Sequence, residues 1–280
     1  MKSQPHHMHP GTLSRVVCPT CRVGRLACEA APAVEVRCSR CSASFSATDG
    51  VIDLLPGSAG RRTPSQALME WQPFIRIYET RLFRTGPGFP LIAGISYARE
   101  YEMIAEAAAL EGAEAVLDLG CGSGIHTRPV AQIVTHGIVM GLDLSVPMLK
   151  YASSRARADG IDNTLFIHGN ALDLPFHDSE FDTVLCCATI HHFTVAHLPA
   201  VVEEVRRVLK PGGRFVTSGL RNWIAGHWSD GVVNWDSTRL GTNYLRESNL
   251  QSVLQRAGLD RIVCHHARRY WLVMSAVKPQ

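Results

Sequence analysis

Three glycines at alternate positions are the residues of this chain whose spacing points most clearly to chemistry. Gly120, Gly122 and Gly124 follow an apolar run with the character of a β-strand. Glycines allow a tight turn, and they let a ligand come closer to the backbone than a Cβ atom would permit. A second apolar run ends at Asp143, where a carboxylate at a strand tip can accept hydrogen bonds from both hydroxyls of a ribose. Together they predict a site for a ribose-containing ligand.

The position of the third glycine narrows the identity of that ligand. A dinucleotide-binding fingerprint has the pattern G-x-G-x-x-G, whereas here the third glycine comes one residue early. Ile125 occupies the position that the pattern reserves for glycine, so NAD is the less favoured ligand. A glycine-rich loop also serves as a plain turn, so this loop alone does not establish a cofactor.

Five separate segments extend the observation along the chain. They are, in order, residues 116–124, 141–145, 169–176, 181–192 and 205–215. On these segments, residues 95–280 resemble the class I S-adenosylmethionine-dependent methyltransferases. The resemblance implies an enzyme, a methyltransferase, whose cofactor is S-adenosylmethionine.

The resemblance also implies roles for individual residues of the cofactor site. Asp118 would organise the glycine loop and the methionine amino group, and Asp143 would bind the ribose. Asn170 stands where the family usually has an aspartate that binds the adenine amino group, and its carbonyl oxygen can still accept that hydrogen bond. Leu144 and Met148 are candidate apolar walls for the adenine, although a methionine at helical spacing is also ordinary core. The complete predicted cofactor set is Asp118, Gly120, Gly122, Gly124, Asp143, Leu144, Met148, Asn170, Ala171, Leu172 and Cys187.

Histidines are the catalytic candidates. Transfer of an activated methyl group requires an acceptor in line with the methyl carbon, and beyond that only the removal of a proton. A histidine suits that task because its pKa lies near neutrality. His191 and His192 come directly after the strand whose edge faces substrate in this family, so either is a candidate base. Packing in the substrate pocket is the alternative role of this pair.

A third histidine lies in a tryptophan-rich insertion. The insertion spans residues 221–241 and contains Trp223, His227 and Trp235. Its aromatic content is typical of a cover over a small, flat or apolar substrate, and it is equally compatible with a plain core layer. His227 is therefore the second catalytic candidate.

Four of the nine cysteines form two C-x2-C pairs that are sixteen residues apart. Each pair can offer two thiolates from one tight turn, so that four sulfur atoms surround a tetrahedral zinc ion. The predicted metal ligands are Cys18, Cys21, Cys38 and Cys41. A segment of about sixty residues buries little surface by itself, so a structural zinc would supply much of its folding free energy. Four free cysteines or two redox pairs are the alternatives.

A zinc ribbon followed by a methyltransferase domain is similar to two groups of proteins. One group is the large-subunit ribosomal RNA guanine methyltransferases, and the closer one is a group of plastid and bacterial methyltransferases of unassigned substrate. In the closer group a segment rich in Tyr, Arg and Phe follows the linker, and residues 77–84 have that composition here. The RNA enzymes commonly replace one cysteine ligand by histidine, whereas this chain keeps four cysteines.

Strands and helices alternate in the second part of the chain. This order predicts an α/β fold, a doubly wound, Rossmann-like parallel sheet with ligands at the carboxyl ends of its strands. The predicted strands are 115–119, 138–142, 164–168, 182–187 and 213–219. The predicted helices are 96–110 capped by Ser96, 125–134, 146–158 capped by Ser145, 197–209 and 244–257. By resemblance, two further strands at 259–265 and 269–276 form an antiparallel hairpin at the sheet edge.

The composition of each stretch predicts the domain organisation. The expected parts are a disordered tail (1–14), the zinc ribbon (15–56), a linker (57–65) and the methyltransferase domain (66–280). Residues 66–110 form a helical N-terminal cover of that domain and lie over the cofactor.

Charge and hydropathy exclude some classes of protein. The net charge is +3, and the 28 Lys and Arg residues are scattered in ones and twos, unlike the basic blocks of nucleic-acid-binding arms. The chain has no run of eighteen uncharged apolar residues and no apolar signal core at its start. The expectation is a cytoplasmic protein that does not bind a membrane.

Three classes of function compete at this point. The favoured one is methylation of a small-molecule acceptor at O, N or C, for instance in natural-product biosynthesis. The alternative is a ribosomal RNA base methyltransferase that uses the ribbon to recognise RNA, which the charge distribution does not favour. A binding or regulatory protein is the third, and the intact glycines and Asp143 argue against it.

Overall fold

The computed structural model of the protein describes residues 10–28, 35–55, 64–80, 83–221 and 245–280. Several predictions fall outside these residues. They concern most of the disordered tail, nearly all of the linker, and the tryptophan-rich insertion with His227.

The strands form one mixed sheet. They are β1 (Leu26–Ala27), β2 (Glu35–Cys38), β3 (Ser44–Thr48), β4 (Val51–Asp53), β5 (Ala115–Leu119), β6 (Ile138–Asp143), β7 (Thr164–His168), β8 (Phe181–Cys187), β9 (Leu209–Leu220), β10 (Asp260–Arg268) and β11 (Trp271–Val277). The order across the sheet is β1-β2-β3-β4-β7-β6-β5-β8-β9-β11-β10. From β4 to β9 neighbouring strands are parallel, and β11 and β10 continue the sheet in antiparallel pairing. The predicted doubly wound sheet with a C-terminal antiparallel hairpin is confirmed.

Helices lie between most of the parallel strands, whereas β8 follows β7 without a helix between them. The described helices are α1 (Pro10–Leu13), α2 (Pro64–Met69), α3 (Gln72–Tyr78), α4 (Gly88–Ala93), α5 (Tyr97–Ala108), α6 (Thr127–Ile133), α7 (Val146–Ala158), α8 (Leu198–Val208) and α9 (Glu247–Arg256). Both predicted caps are present, since the Ser96 hydroxyl accepts the N–H of Arg99 and the Ser145 hydroxyl that of Met148. No helix among these residues has the length and apolar character needed to cross a membrane.

The cysteine-rich segment is joined to the larger sheet by hydrogen bonds. Strands β1 to β4 are antiparallel neighbours, and β4 then pairs in parallel with β7, placing Asp53 opposite His168. The last strand of the ribbon is therefore also a strand of the central sheet.

Apolar packing reinforces this connection. Val36 and Phe45 of the ribbon are buried in the same hydrophobic cluster as Leu117 of the central sheet and Val201 of α8. A second cluster lies among α5, α6 and α7, with Ile104 and Leu149 as fully buried members. Because the ribbon shares a core with the central sheet, its folding draws on apolar burial in addition to any metal.

Candidate active site

The carboxyl ends of β5, β6, β7 and β8 open into one cavity of about 550 Å³. Its size lies within the range of sites for small ligands. Ten of the eleven predicted cofactor residues line it: Asp118, Gly120, Gly122, Asp143, Leu144, Met148, Asn170, Ala171, Leu172 and Cys187. Gly124 is the member of the predicted set that is absent from the lining.

Each of the three glycines of the loop is required for a different structural reason. All three have positive φ angles, at 70°, 51° and 76° for Gly120, Gly122 and Gly124. A Cβ atom on Gly120 would lie 2.1 Å from Thr189 Cγ2, and one on Gly124 would lie 3.0 Å from Ala152 Cβ. Only at Gly122 is the space open within 4 Å. The expected close approach of a ligand therefore applies to Gly122, whereas the other two glycines make room for protein side chains.

Asp143 is held in place by the backbone around it. Its Oδ2 accepts the N–H of Gly122 at 2.8 Å, and its Oδ1 accepts the N–H of Ser145 at 2.7 Å. Burial raises the pKa of this carboxyl, and these two N–H groups act in the opposite direction. Each carboxylate oxygen has two acceptor positions, so both oxygens retain one for a ligand in the cavity.

Asp118 is the deepest acidic group of the site. It is 1% exposed, and its Oδ2 accepts the hydroxyl proton of Thr127 at 2.6 Å. Burial raises the pKa of Asp118 to about 7, partly opposed by the Thr127 hydroxyl. The Asp118–Thr127 bond connects the end of β5 to the start of α6, which fixes both sides of the glycine loop.

The segment after β7 contributes a third wall. Asn170 accepts the N–H of Leu172 through Oδ1 at 3.0 Å, and the N–H of Asp173 bonds to the Asn170 carbonyl at 3.1 Å. These bonds fold the segment into a tight turn that presents Asn170, Ala171 and Leu172 to the cavity.

The structure separates the two neighbouring histidines. His192 lines the cavity, whereas His191 is 5% exposed, is absent from the lining, and accepts the N–H of Leu220 on Nδ1 at 3.2 Å. Burial lowers the pKa of His192 to about 4 and that of His191 well below its usual value. Both imidazoles are therefore neutral at pH 7, and only His192 can meet a molecule in the cavity. His227 lies outside the described residues.

Comparison with known proteins agrees with this geometry. Residues 116–213 match the family model described as "Methyltransferase domain". The uncharacterized methyltransferase sll0829 of Synechocystis sp. is 33% identical over 171 residues, which cover 60% of this chain and 76% of that protein. The chain belongs to the class I S-adenosylmethionine-dependent methyltransferases. S-adenosylmethionine is the cofactor of the family.

Two further matches cover part of this chain, one in sequence and one in structure. The demethylmenaquinone methyltransferase of Symbiobacterium thermophilum is 40% identical over 103 residues, which cover 36% of this chain and 40% of that protein. The present chain thus spans about two fifths of that relative's length. The structure of Haemonchus contortus phosphoethanolamine N-methyltransferase 2 in complex with S-adenosyl-L-methionine superposes with a TM-score of 0.62 at 16% identity. It covers 79% of this chain and 61% of that one, and shares the fold.

Several residues that line the methyltransferase cavity were not predicted from sequence. His126 is 3% exposed, and neither of its ring nitrogens has a hydrogen-bond partner among the described residues. Burial lowers the pKa of His126 to about 4. Its position two residues after Gly124 is the one sequence signal that was available. The other unpredicted polar and aromatic residues of the lining are Glu70, Tyr78, Ser123, Ser145, His168, Thr189, Phe193 and His197.

The four predicted metal ligands come together in the cysteine-rich segment. The Sγ atoms of Cys18, Cys21, Cys38 and Cys41 all lie within 4.8 Å of one another. The Cys18–Cys41 and Cys21–Cys38 sulfur atoms are 3.7 and 3.6 Å apart. Two tight turns supply them, and the residue after each pair, Arg22 or Ser42, has a left-handed φ of 60° or 59°.

Backbone donors also surround these sulfur atoms. The N–H of Gly24 donates to Cys21 Sγ at 3.3 Å, and the N–H of Arg40 donates to Cys38 Sγ at 3.4 Å. A Cβ atom on Gly24 would lie 2.2 Å from Cys38 Sγ, so glycine is required there for the sulfur atoms to meet. N–H donors favour the thiolate form, which is the form that binds metals.

Proposed function

We propose that this methyltransferase transfers the methyl group of S-adenosylmethionine to a small-molecule acceptor bound in the same cavity. The observation that supports this most strongly is that Asp143, at a strand tip, and His192 line one and the same cavity. A cofactor and an acceptor that are both bound in this cavity would lie close together. Proximity and alignment then supply most of the catalysis, because the methyl group is already activated.

The cofactor residues have separate tasks in this proposal. The two oxygens of Asp143 bind the ribose hydroxyls, and the N–H donors of Gly122 and Ser145 keep the carboxylate in that orientation. Asp118 organises the glycine loop and the methionine amino group. Asn170 has a second acceptor position on Oδ1 for the adenine amino group, between the apolar side chains of Leu144 and Met148.

His192 is the proposed base. It lines the cavity, and burial lowers its pKa to about 4, so the imidazole is neutral at pH 7 and able to accept a proton, as a weaker base than a histidine of ordinary pKa. In the methyl-transfer step an acceptor oxygen, nitrogen or carbon would form a bond to the methyl carbon as the sulfur–carbon bond of S-adenosylmethionine breaks. The acceptor proton passes to the imidazole, and S-adenosylhomocysteine leaves.

The rest of the lining supports a largely apolar acceptor. Leu55, Met69, Tyr78 and Phe193 give the lining apolar or aromatic surface. Sequence relatives of the chain include demethylmenaquinone methyltransferases, whose name denotes a quinone acceptor. An acceptor with an apolar body and one hydroxyl or carbon nucleophile fits this surface.

Transfer of tritium-labelled methyl from S-adenosylmethionine tests the acceptor class. The purified protein would be added to an extract of the source cells, and the label measured separately in small organic molecules, RNA and protein. Label is expected in the organic fraction. Label confined to RNA or protein would contradict a small-molecule acceptor, while binding of S-adenosylhomocysteine without transfer to any fraction would contradict the enzymatic proposal.

We also propose that the cysteine cluster binds one structural zinc ion. A tetrahedral zinc with Zn–S bonds of about 2.3 Å separates its sulfur ligands by about 3.8 Å, close to the observed spacing of 3.6 to 3.7 Å. Four protein ligands leave no open coordination position, as is typical of a structural site. The ribbon would then be held by metal at one end and by β4 pairing at the other.

Metal analysis tests the zinc proposal. The purified protein is expected to contain one zinc per chain, and Cys38→Ser is expected to lose it. Cys28→Ser is the matched control, because Cys28 lies in the same segment but outside the cluster. Protein that is folded and free of zinc would refute the site.

A further inference from the structure

The cysteine-rich ribbon lies against a short piece of chain that lines the cofactor cavity. This piece is the turn segment, residues 168–176, which leaves β7 and carries Asn170, Ala171 and Leu172 into the cavity wall. The ribbon holds the turn segment at both of its ends.

The first contact is at the start of the turn segment. Asp53, at the end of β4, accepts the proton of His168 Nδ1 through Oδ1 at 2.6 Å. The N–H of Leu54 donates to the His168 carbonyl oxygen at 3.1 Å. His168 and Leu55 both line the cavity, so the ribbon's last strand reaches its wall directly.

The second contact is at the other end of the turn segment. Arg22, which follows the metal ligand Cys21, donates through both terminal nitrogens to the two carboxylate oxygens of Asp173. The N–H of Val17 donates to the Pro175 carbonyl oxygen at 2.9 Å. The turn segment is thus anchored to the first cysteine turn as well as to β4.

The part between these anchors has mainly internal hydrogen bonds. Asn170 bonds to Leu172 and Asp173 within the turn, and these bonds set its shape but not its place in the cavity. Glu204 and Arg207 of α8 hold Leu174 from the methyltransferase domain. At the His168 end, β6 also contributes, because the N–H of Gly169 donates to the Asp143 carbonyl oxygen at 3.1 Å. The ribbon therefore shares the positioning of Asn170 with α8 and β6.

We propose that Asp53 and Arg22 of the ribbon are positioning residues of the cofactor site. They act on the turn segment, and through it the ribbon sets the affinity for S-adenosylmethionine. The inference rests on the proposed function, since it takes this cavity as the cofactor site. In this proposal the ribbon helps to form the cofactor site of its own chain.

Exposure of the two anchors sets the size of each effect. The Arg22 and Asp173 side chains are 55% and 49% exposed, and an ion pair this accessible contributes little because water screens it. The His168 side chain is 9% exposed, so its bond to Asp53 constrains the turn more strongly. Loss of Asp53 is expected to weaken cofactor binding more than loss of Arg22.

Calorimetric titration of the full-length, metal-loaded protein with S-adenosylhomocysteine tests the proposal. Asp53→Ala is expected to raise Kd about tenfold and Arg22→Ala about threefold, within the usual range of coupling between sites. Asp53→Asn keeps an Oδ1 acceptor and should stay within about twofold of wild type. Arg15→Ala is the matched control. Arg15 is also a ribbon arginine that pairs with a carboxylate of the larger domain, but its partner Glu180 directly precedes β8 and lies outside the turn segment. It should leave Kd unchanged.

The outcomes separate the inference from the function on which it rests. Failure of the wild-type protein to bind S-adenosylhomocysteine would overturn the proposed function. Normal binding by wild type, Asp53→Ala and Arg22→Ala alike would overturn the positioning role alone, as would an equal loss in Arg15→Ala. Recovery of affinity in the double variant Arg22→Asp with Asp173→Arg would support a direct contact between the two side chains. Because both side chains are exposed, this variant is expected to fold and tests the proposal even where Asp53→Ala does not fold.

Discussion

Two groups of polar residues in the cavity lining differ in how their hydrogen-bonding atoms are satisfied. The carboxylates of Asp118 and Asp143 accept hydrogen bonds from Thr127, Gly122 and Ser145. His126 and His192 instead have buried ring nitrogens without a partner among the described residues. Buried polar atoms are normally paired, so unpaired ones that line a cavity are available to a ligand.

The two groups therefore offer a ligand different chemistry. Asp118 and Asp143 are oriented by protein hydrogen bonds before any ligand binds. His126 and His192 are neutral imidazoles at pH 7, since burial lowers the pKa of each to about 4. A hydroxyl or a carbonyl on the acceptor can satisfy such nitrogens without placing a charge in the cavity.

The largest expected effect is the loss of cofactor affinity on replacement of Asp143, the proposed ribose ligand. Asp143→Ala removes the acceptor of two backbone N–H groups and of the proposed ribose hydroxyls. Each hydrogen bond to a charged group contributes about 1.5 to 3 kcal/mol, so affinity for S-adenosylhomocysteine should fall by about 100-fold or more. Calorimetry would measure this, with Asp162→Ala at an exposed position as control. A Kd within threefold of wild type would show that Asp143 does not hold the ribose.

At the proposed base, His192→Ala should lower turnover at least about tenfold while leaving cofactor affinity within about twofold. General base catalysis contributes about tenfold or more to turnover, and the hydrogen bonds that orient Asp118 and Asp143 do not involve this imidazole. Turnover would be followed as tritium transfer into the small-molecule fraction. His191→Ala, which loses the bond to the Leu220 N–H, should instead lower thermal stability. The reverse pattern would identify His191 as the reactive group.

A smaller effect separates two glycines with the same backbone geometry. Gly122 and Gly160 both have positive φ, and nothing lies within 4 Å of a Cβ atom added to either. Alanine at each position strains the backbone by about 1 kcal/mol. Only Gly122→Ala puts a methyl group into the cavity, so it should weaken S-adenosylhomocysteine binding about threefold to tenfold. If Gly160→Ala weakens binding equally, strain rather than contact explains the loss.

The last prediction concerns the pH dependence of stability and involves no ligand. The pKa of His126 is about 4 in the folded protein and about 6.5 in an unfolded chain, so the unfolded state binds the extra proton between these values. Acidification from pH 7 to 5 therefore destabilises the fold through His126 by about 2 kcal/mol. His126→Leu should reduce the acid-induced drop in Tm by a few degrees, as measured without ligand. Asp118 has a raised pKa, so acidification stabilises the fold through this residue. Because Asp118 is present in both the wild type and His126→Leu, its contribution cancels when the two are compared. An unchanged drop would contradict a neutral buried His126.

Much of the central fold was predictable from short-range patterns. The strands predicted at 115–119 and 164–168 and the helix at 146–158 have the observed bounds, and Ser96 and Ser145 cap the helices that they precede. These features depend on alternating apolar runs and on local hydrogen bonds, which neighbouring residues decide. The strand predicted at 213–219 extends over Leu209–Leu220, because pairing with β8 and β11 continues beyond the apolar stretch.

Side-chain placement in the site was less predictable. Nothing local distinguishes His191 from His192, and the 3₁₀ turn at Ile190–His192 directs only the second toward the cavity. His126 gave no recognisable motif. Gly120 and Gly122 look equivalent in sequence, yet Gly120 makes room for Thr189, a residue from a different strand end. Each of these distinctions depends on contacts between residues that are distant along the chain.

Local sequence patterns suffice to predict the glycine loop, Asp143 at the end of its strand, and two cysteine pairs that each form one tight turn. How these parts meet depends on contacts between distant residues. Pairing of β4 with β7 brings Asp53 to His168, and the first cysteine turn brings Arg22 to Asp173. These residues are more than a hundred positions apart, and only shared hydrogen bonding and a shared apolar core place the ribbon against the cofactor wall.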